Sequence, residues 1–166
     1  MDKKMKPGRD STHKSLNIRS IFRCMMEDGY NPEYEMGYIE FDIEDNRAVL
    51  EYEKGILSLR VFFSINEEEY DLLLETSNAS MLETSMVKSI LLDNMKTIMF
   101  SCEMMCDNVR EFRKFFPRGI RLLKQGIIAH KEEAGRIMLA KKISSATISA
   151  AEDTDILSPK TVRMLS

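Results

Sequence analysis

An α+β fold is predicted for this chain, and three observations carry it. Hydrophobic spacing switches along the sequence between the 3.6-residue period of a helix and the two-residue period of a strand. The dipeptide Asp-Asn occurs twice between alternating runs, at Asp45-Asn46 and Asp93-Asn94, and both residue types tolerate the positive φ of a tight hairpin. Gly29, Pro32 and Gly55 fall between the periodic segments, where they end one element before the next begins. The expected order is a helix, a three-stranded antiparallel meander, a second helix, a β-hairpin and a long C-terminal helix.

The first helix is expected over 15–28, because Ile18, Ile21, Phe22 and Met25 share one face. Gly29 suits its C-terminal cap, and Asn31-Pro32 rules out continuation. The period then becomes two. Ile39, Phe41 and Ile43 alternate with Glu40, Asp42 and Glu44. A turn at Asp45-Asn46 places Glu44 opposite Arg47, with Ala48, Leu50 and Tyr52 beside Ile43, Phe41 and Ile39. A third strand carries Leu57, Leu59, Val61 and Phe63 in one row. Keeping that row on the core side requires Tyr52 to face Leu57, since a one-residue slip exchanges the two faces. Ile56 and Phe62 are then left on the outer face.

Asn66 and Glu69 have capping-box spacing ahead of Tyr70, Leu73 and Leu74, so a helix is expected over 67–78. Ser77-Asn78 reads as the start of a polar connector reaching residue 84. In the hairpin that follows, a turn at Asp93-Asn94 sets Leu92 opposite Met95. Met86, Lys88, Ile90, Leu92, Met95, Thr97 and Met99 form one row, while Val87, Ser89, Leu91, Lys96, Ile98, Phe100 and Cys102 form the other. Both rows are largely apolar, so this hairpin is either covered on both sides or sticky on one. Asp107 is placed to cap the last helix. Its stripe of Val109, Phe112, Phe116, Ile120, Leu123 and Ile127 continues across Pro117, as one kinked helix or two.

The domain reading is a flexible basic tail over 1–14, a single α+β domain over 15–140, and a frayed helix end with a disordered tail over 141–166. A chain of 166 residues fits one domain with a sizeable core. No run of about 18 apolar residues is present to span a bilayer, and the charged N-terminus lacks the apolar segment of a signal peptide. Three cysteines are too few for a disulfide framework, which fits a reducing compartment and makes the cytoplasm the expectation. With 24 basic against 27 acidic residues the net charge is −3, without the basic excess of a typical nucleic-acid binder.

This order of elements, with its two Asp-Asn hairpins and its strand lengths, resembles the YbjN-like group of chains labelled as bacterial sensory transduction regulators. That group shares its α-β-β-β-α-β-β-α plan with type III secretion chaperones. The likeness covers about residues 15–138. It implies a five-stranded antiparallel sheet with helices packed mainly on one face, homodimers, and a role in engaging other polypeptides. It carries over no catalytic residue.

Motifs for chemistry are sparse. His13 falls in the tail, and His130 sits among Lys131, Glu132 and Glu133 on a face expected to be wet. Cys102 and Cys106 lack the second half of a zinc site, and Glu67, Glu68 and Glu69 point in different directions around a helix. The seven glycines are scattered, with no phosphate-binding loop. Neither cofactor, metal nor small-molecule ligand is indicated, and no enzyme is expected. Arg110, Arg113, Lys114, Arg118, Arg121 and Lys124 on the last helix, interleaved with Phe112, Phe115 and Phe116, keep nucleic-acid binding as an alternative. A further alternative is an enzyme of unrecognised type built around His130 or the cysteines.

Thirteen methionines with no tryptophan point elsewhere, because methionine is over-used on adaptable binding surfaces as well as in cores. If the helices cover the Ile98 and Phe100 row, then Met86, Ile90, Leu92, Met95 and Met99 form an exposed surface for a second copy or a client protein. If they cover the methionine row, it is core. The expected function is therefore a non-enzymatic protein-binding module, chaperone-like or regulatory, and homodimeric.

Overall fold

The computed structural model describes residues 15–84 and 86–155. The tail expected over 1–14 lies outside the described residues, as do residues 156–166. Three helices and six strands follow in the order α1 (Ile18–Glu27), β1 (Glu33–Tyr34), β2 (Tyr38–Ile43), β3 (Asn46–Glu53), β4 (Ile56–Ser64), α2 (Tyr70–Glu83), β5 (Val87–Leu91), β6 (Thr97–Met105) and α3 (Val109–Asp155). All pairings are antiparallel in one sheet of order β1-β2-β3-β4-β6-β5.

The α+β class and the element order are those expected, with one strand more than five. That strand, β1, has two exposed residues and no alternation to announce it. Arg47 holds it down across the sheet, donating to Glu33 at 2.5 Å, Glu40 at 2.9 Å and Asp42 at 3.3 Å.

α1 starts where Asn17 accepts from the Ser20 N–H at 2.9 Å and Ser20 Oγ accepts from the Asn17 N–H at 3.0 Å. It ends on Gly29 at φ +84°, with Tyr30 N–H bonded to the Met25 carbonyl and Gly29 N–H to that of Met26. Those two bonds close a Schellman cap, which needs the left-handed residue that glycine supplies most easily.

Both Asp-Asn hairpins differ from expectation by the same amount. In the first, Ile43 pairs with Asn46 and Asp42 with Arg47, so the turn is Glu44-Asp45, with Glu44 at φ +56°. In the second, Ile90 pairs with Met99 and Leu91 with Ile98, and Leu92 N–H reaches the Thr97 carbonyl. Each register is displaced by two positions, one full strand period, so every side chain keeps its predicted face. Tyr52 does face Leu57, and the ladder continues inward to Glu53 and Ile56 around a Lys54-Gly55 turn with both φ positive.

The sheet buries one face. Phe41, Leu50, Leu59, Val61, Phe100 and Cys102 lie beneath Ile21 and Met25 of α1 and Phe112, Phe116 and Leu123 of α3. Phe116 stands at the centre, with ring centroids 5.0 Å from Tyr30, 5.4 Å from Phe41 and 4.9 Å from Phe112.

α2 runs past the predicted end at 78, through the stretch read as a polar connector. The reason is tertiary: Thr76, Ser77 and Ser80 are buried, while Leu74 is exposed. Hydroxyls that look like loop composition in sequence instead let α2 lie close against α3. α3 is one continuous helix through Pro117 and runs to Asp155, into the stretch expected as a frayed helix end. Its cap is Asn108, one residue later than expected. Asn108 Oδ1 accepts from the Glu111 N–H at 3.0 Å, and the Glu111 carboxylate accepts from the Asp107 N–H at 2.8 Å.

Candidate protein-binding surface

The helices cover the Val87, Ile98, Phe100 and Cys102 row, which is buried. Among the described residues no helix covers the opposite face of the sheet. Pairing brings Phe62 of β4, Met99 of β6 and Ile90 of β5 into one line across three strands. Cross-strand neighbours on one face stand about 5 Å apart, so these three side chains form a continuous apolar bar. Phe62 is 41% exposed and Ile90 40%, with Met99 half-buried between them.

The hairpin tip extends the bar. Leu92 is half-buried. Met95 occupies the turn itself at φ +54° with 47% of its surface open, its N–H donating to the Leu92 carbonyl. Asn94 braces that turn, accepting from the Lys96 N–H at 2.9 Å and donating to Thr97 Oγ1 at 3.0 Å. Ion pairs ring the apolar bar: Lys88 with Glu103 at 3.2 Å, Lys96 with Glu67 at 3.3 Å, and Arg60 with Glu51 at 2.9 Å.

The five methionine-row residues named from sequence are spread along this hairpin and its lead-in. Ile90 and Met99 are adjacent, and Leu92 and Met95 lie at the same hairpin's tip. Met86 precedes β5 and lines a separate cavity of about 400 Å³ with Met104, Met105, Phe115, Arg118 and Leu122. Phe62 was missing from the row because it belongs to the meander, and nothing local in the sequence says that β4 lies beside β6.

The groups considered for chemistry sit in the interior. His130 is buried, not on a wet face, with 3% of its surface exposed. Its Nε2 shares a hydrogen bond with Ser77 Oγ at 3.2 Å, and its ring meets Phe100 edge-on at 5.1 Å. Burial pushes the imidazole below its ordinary pKa of 6.5. Ser77 is equally closed to water, so the pair has no visible route to a substrate. Cys24, Cys102 and Cys106 are free and buried. Burial raises all three thiols, Cys106 to about 11, whereas a reactive cysteine needs the opposite shift. Among the described residues no three metal-ligating side chains converge, and no helix is long and apolar enough to cross a membrane.

An antiparallel sheet with helices on one face and an apolar bar on the other defines an α+β scaffold whose second face is open among the described residues. No protein-family model matches the chain, and no curated protein matches it. Among solved structures, the chain is similar to "YbjN, a putative transcription regulator from E. coli", with a TM-score of 0.60. The similarity covers 73% of this chain and 94% of that one, at 11% sequence identity. The chain has the YbjN-like fold. Identity at that level carries architecture and leaves function to be argued from the surface.

Proposed function

We propose that this chain is a non-enzymatic protein-binding module that docks another polypeptide on the open sheet face, in a chaperone-like or regulatory role. The observation that carries the reading is the Phe62–Met99–Ile90 line. A large aromatic, a methionine and a branched aliphatic side chain are kept in register where no part of the described chain covers them. Exposed contiguous apolar surface of this kind marks interaction sites in folded proteins. Methionine at its centre suits a partner surface that must be accommodated and not matched rigidly.

A second copy of the chain is the first partner to consider, as a homodimer closing bar against bar. The free buried thiols suit a reducing compartment, the cytoplasm. Light scattering on the wild type and on Met99→Glu tests the homodimer. A dimer that the substitution converts to a folded monomer is the expected result. A wild type that stays monomeric at every concentration and neither captures nor cross-links to any polypeptide through this face sinks the proposal.

A further inference from the structure

The net charge of −3 conceals a sharp local asymmetry. Between Val109 and Lys131 the chain has seven basic residues and one acidic. Arg113 is bound to Glu27 and Lys124 to Glu44, both at 2.5 Å. Arg110, Lys114, Arg118 and Arg121 are exposed and make no ion pair among the described residues. At about 100° per residue their positions fall within a sector of about 80°, and from first to last they span about 16 Å of helix. Phe112, Phe116 and Leu123 are buried on the other side of α3, so this row looks straight away from the core.

Four unneutralised cations at regular spacing on a rigid rod present a linear positive strip, and a linear polyanion is its complement. The cavity beside the row narrows the choice. Phe115 and Arg118 line it together with Leu122, Met104 and Met105. Met105, 79% exposed, stands at its mouth, and Glu103 on its wall is held by Lys88. Its volume of about 400 Å³ and its apolar, aromatic wall suit a planar base. A base stacked inside a duplex cannot reach such a cavity, but an unpaired base can. A lipid surface fits less well. An interfacial helix inserts its apolar face, and here that face is already committed to the sheet.

We propose that this face of α3 binds single-stranded nucleic acid, with Arg110, Lys114, Arg118 and Arg121 following the phosphates and the Phe115 cavity receiving a base. The cation row lies on the helix side of the sheet, away from the bar at Phe62, and the cavity beside it reaches round the end of β6 to Glu103 and Met105. Each phosphate neutralised releases counterions, so four contacts give a slope of log K against log salt of about −3 on a single strand.

Fluorescence anisotropy of the full chain with labelled oligo-dT of about twenty nucleotides, titrated over salt, reads that slope. Arg118→Glu combined with Arg121→Glu is expected to weaken binding at least about tenfold, with an unchanged circular dichroism spectrum. Lys142→Glu, exposed on α3 about 30 Å beyond Arg121, is expected to leave binding intact. Phe115→Ala is expected to lower affinity for oligo-dT while leaving heparin binding unchanged. The proposal is overturned if low-salt oligo-dT does not bind, or if the double variant binds like wild type. Equal binding to a duplex of the same length, or binding only to phosphatidylglycerol vesicles, overturns it as well.

Discussion

Ser77 Oγ and His130 Nε2 meet at 3.2 Å where α2 crosses α3, in a spot that water hardly reaches. The pair explains why a segment rich in serine and threonine is a buried helix. Each hydroxyl there finds an acceptor or a ring nitrogen: Thr76 Oγ1 donates to the Leu72 carbonyl at 2.7 Å, and Ser77 uses His130. Removing the hydroxyl would leave the imidazole nitrogen buried without a partner.

That relationship makes stability sensitive to acid. The folded-state pKa of His130 lies below 6.5, while the unfolded chain keeps the ordinary value. Between the two values the unfolded state holds a proton that the folded state lacks, so stability rises with pH through that window. The contribution is complete above 6.5 and is lost as pH falls toward the folded-state value. Urea unfolding at about pH 7.5 and about pH 5.5 should show wild type losing stability over a range where His130→Gln changes much less. Ser77→Ala should cost about 1–3 kcal/mol at the higher pH. An equal acid loss in wild type and His130→Gln would assign the effect to other groups.

Two helical glycines should behave in opposite ways. A Cβ on Gly126 would lie 2.5 Å from Val87 Cγ1 and 2.7 Å from Val87 Cβ, with a strand behind them. A Cβ on Gly135 would meet nothing within 4 Å. Gly126→Ala should therefore destabilise by about 1–3 kcal/mol despite the better helix propensity of alanine. Gly135→Ala should stabilise by about 0.5–1 kcal/mol. Thermal unfolding of the two variants beside wild type gives the signs directly.

The cap of α3 can be located by mutation. Asn108→Ala should cost about 1 kcal/mol, because it removes the acceptor of the Glu111 N–H. Asp107→Ala should cost less, since only its backbone N–H takes part. A larger loss at Asp107 in chemical denaturation would place the cap one residue earlier.

The three thiols should resist modification in the native state. At about pH 8, dithionitrobenzoate should react with native protein slowly and reach all three cysteines promptly once denaturant is added. A fast native phase would show one of them accessible and activated, and would reopen a redox role.

Much of this architecture was legible because period-two patterning is forgiving. Placing the turns on the two Asp-Asn pairs missed each register by two, yet Phe41 and Leu50 lie on the predicted side, and Ile98 and Phe100 stay in one row of the hairpin whose buried face the pattern left open. Three features had no local signal. β1 depends on Arg47 reaching across the sheet, and the last turns of α2 depend on α3 covering Thr76 and Ser80. The burial of His130 depends on the same contact, since its sequence neighbours Lys131 and Glu132 are exposed. The apolar bar was half visible. Ile90 and Met99 share a hairpin, whereas Phe62 joins them only through the β4–β6 pairing, which links segments more than thirty residues apart.

Glu33, Glu40, Asp42 and Glu51 lie on the open side of the sheet, with only Arg47 and Arg60 among them. The positive strip lies on the far side of the helix layer. These two local surfaces carry opposite charge, so the small net charge is a poor guide to how either meets a charged object. The protein should adhere to both cation and anion exchangers at neutral pH and low salt, turning a different side to each. A polyanion held on the α3 row would leave the apolar bar at Phe62 free for a second encounter.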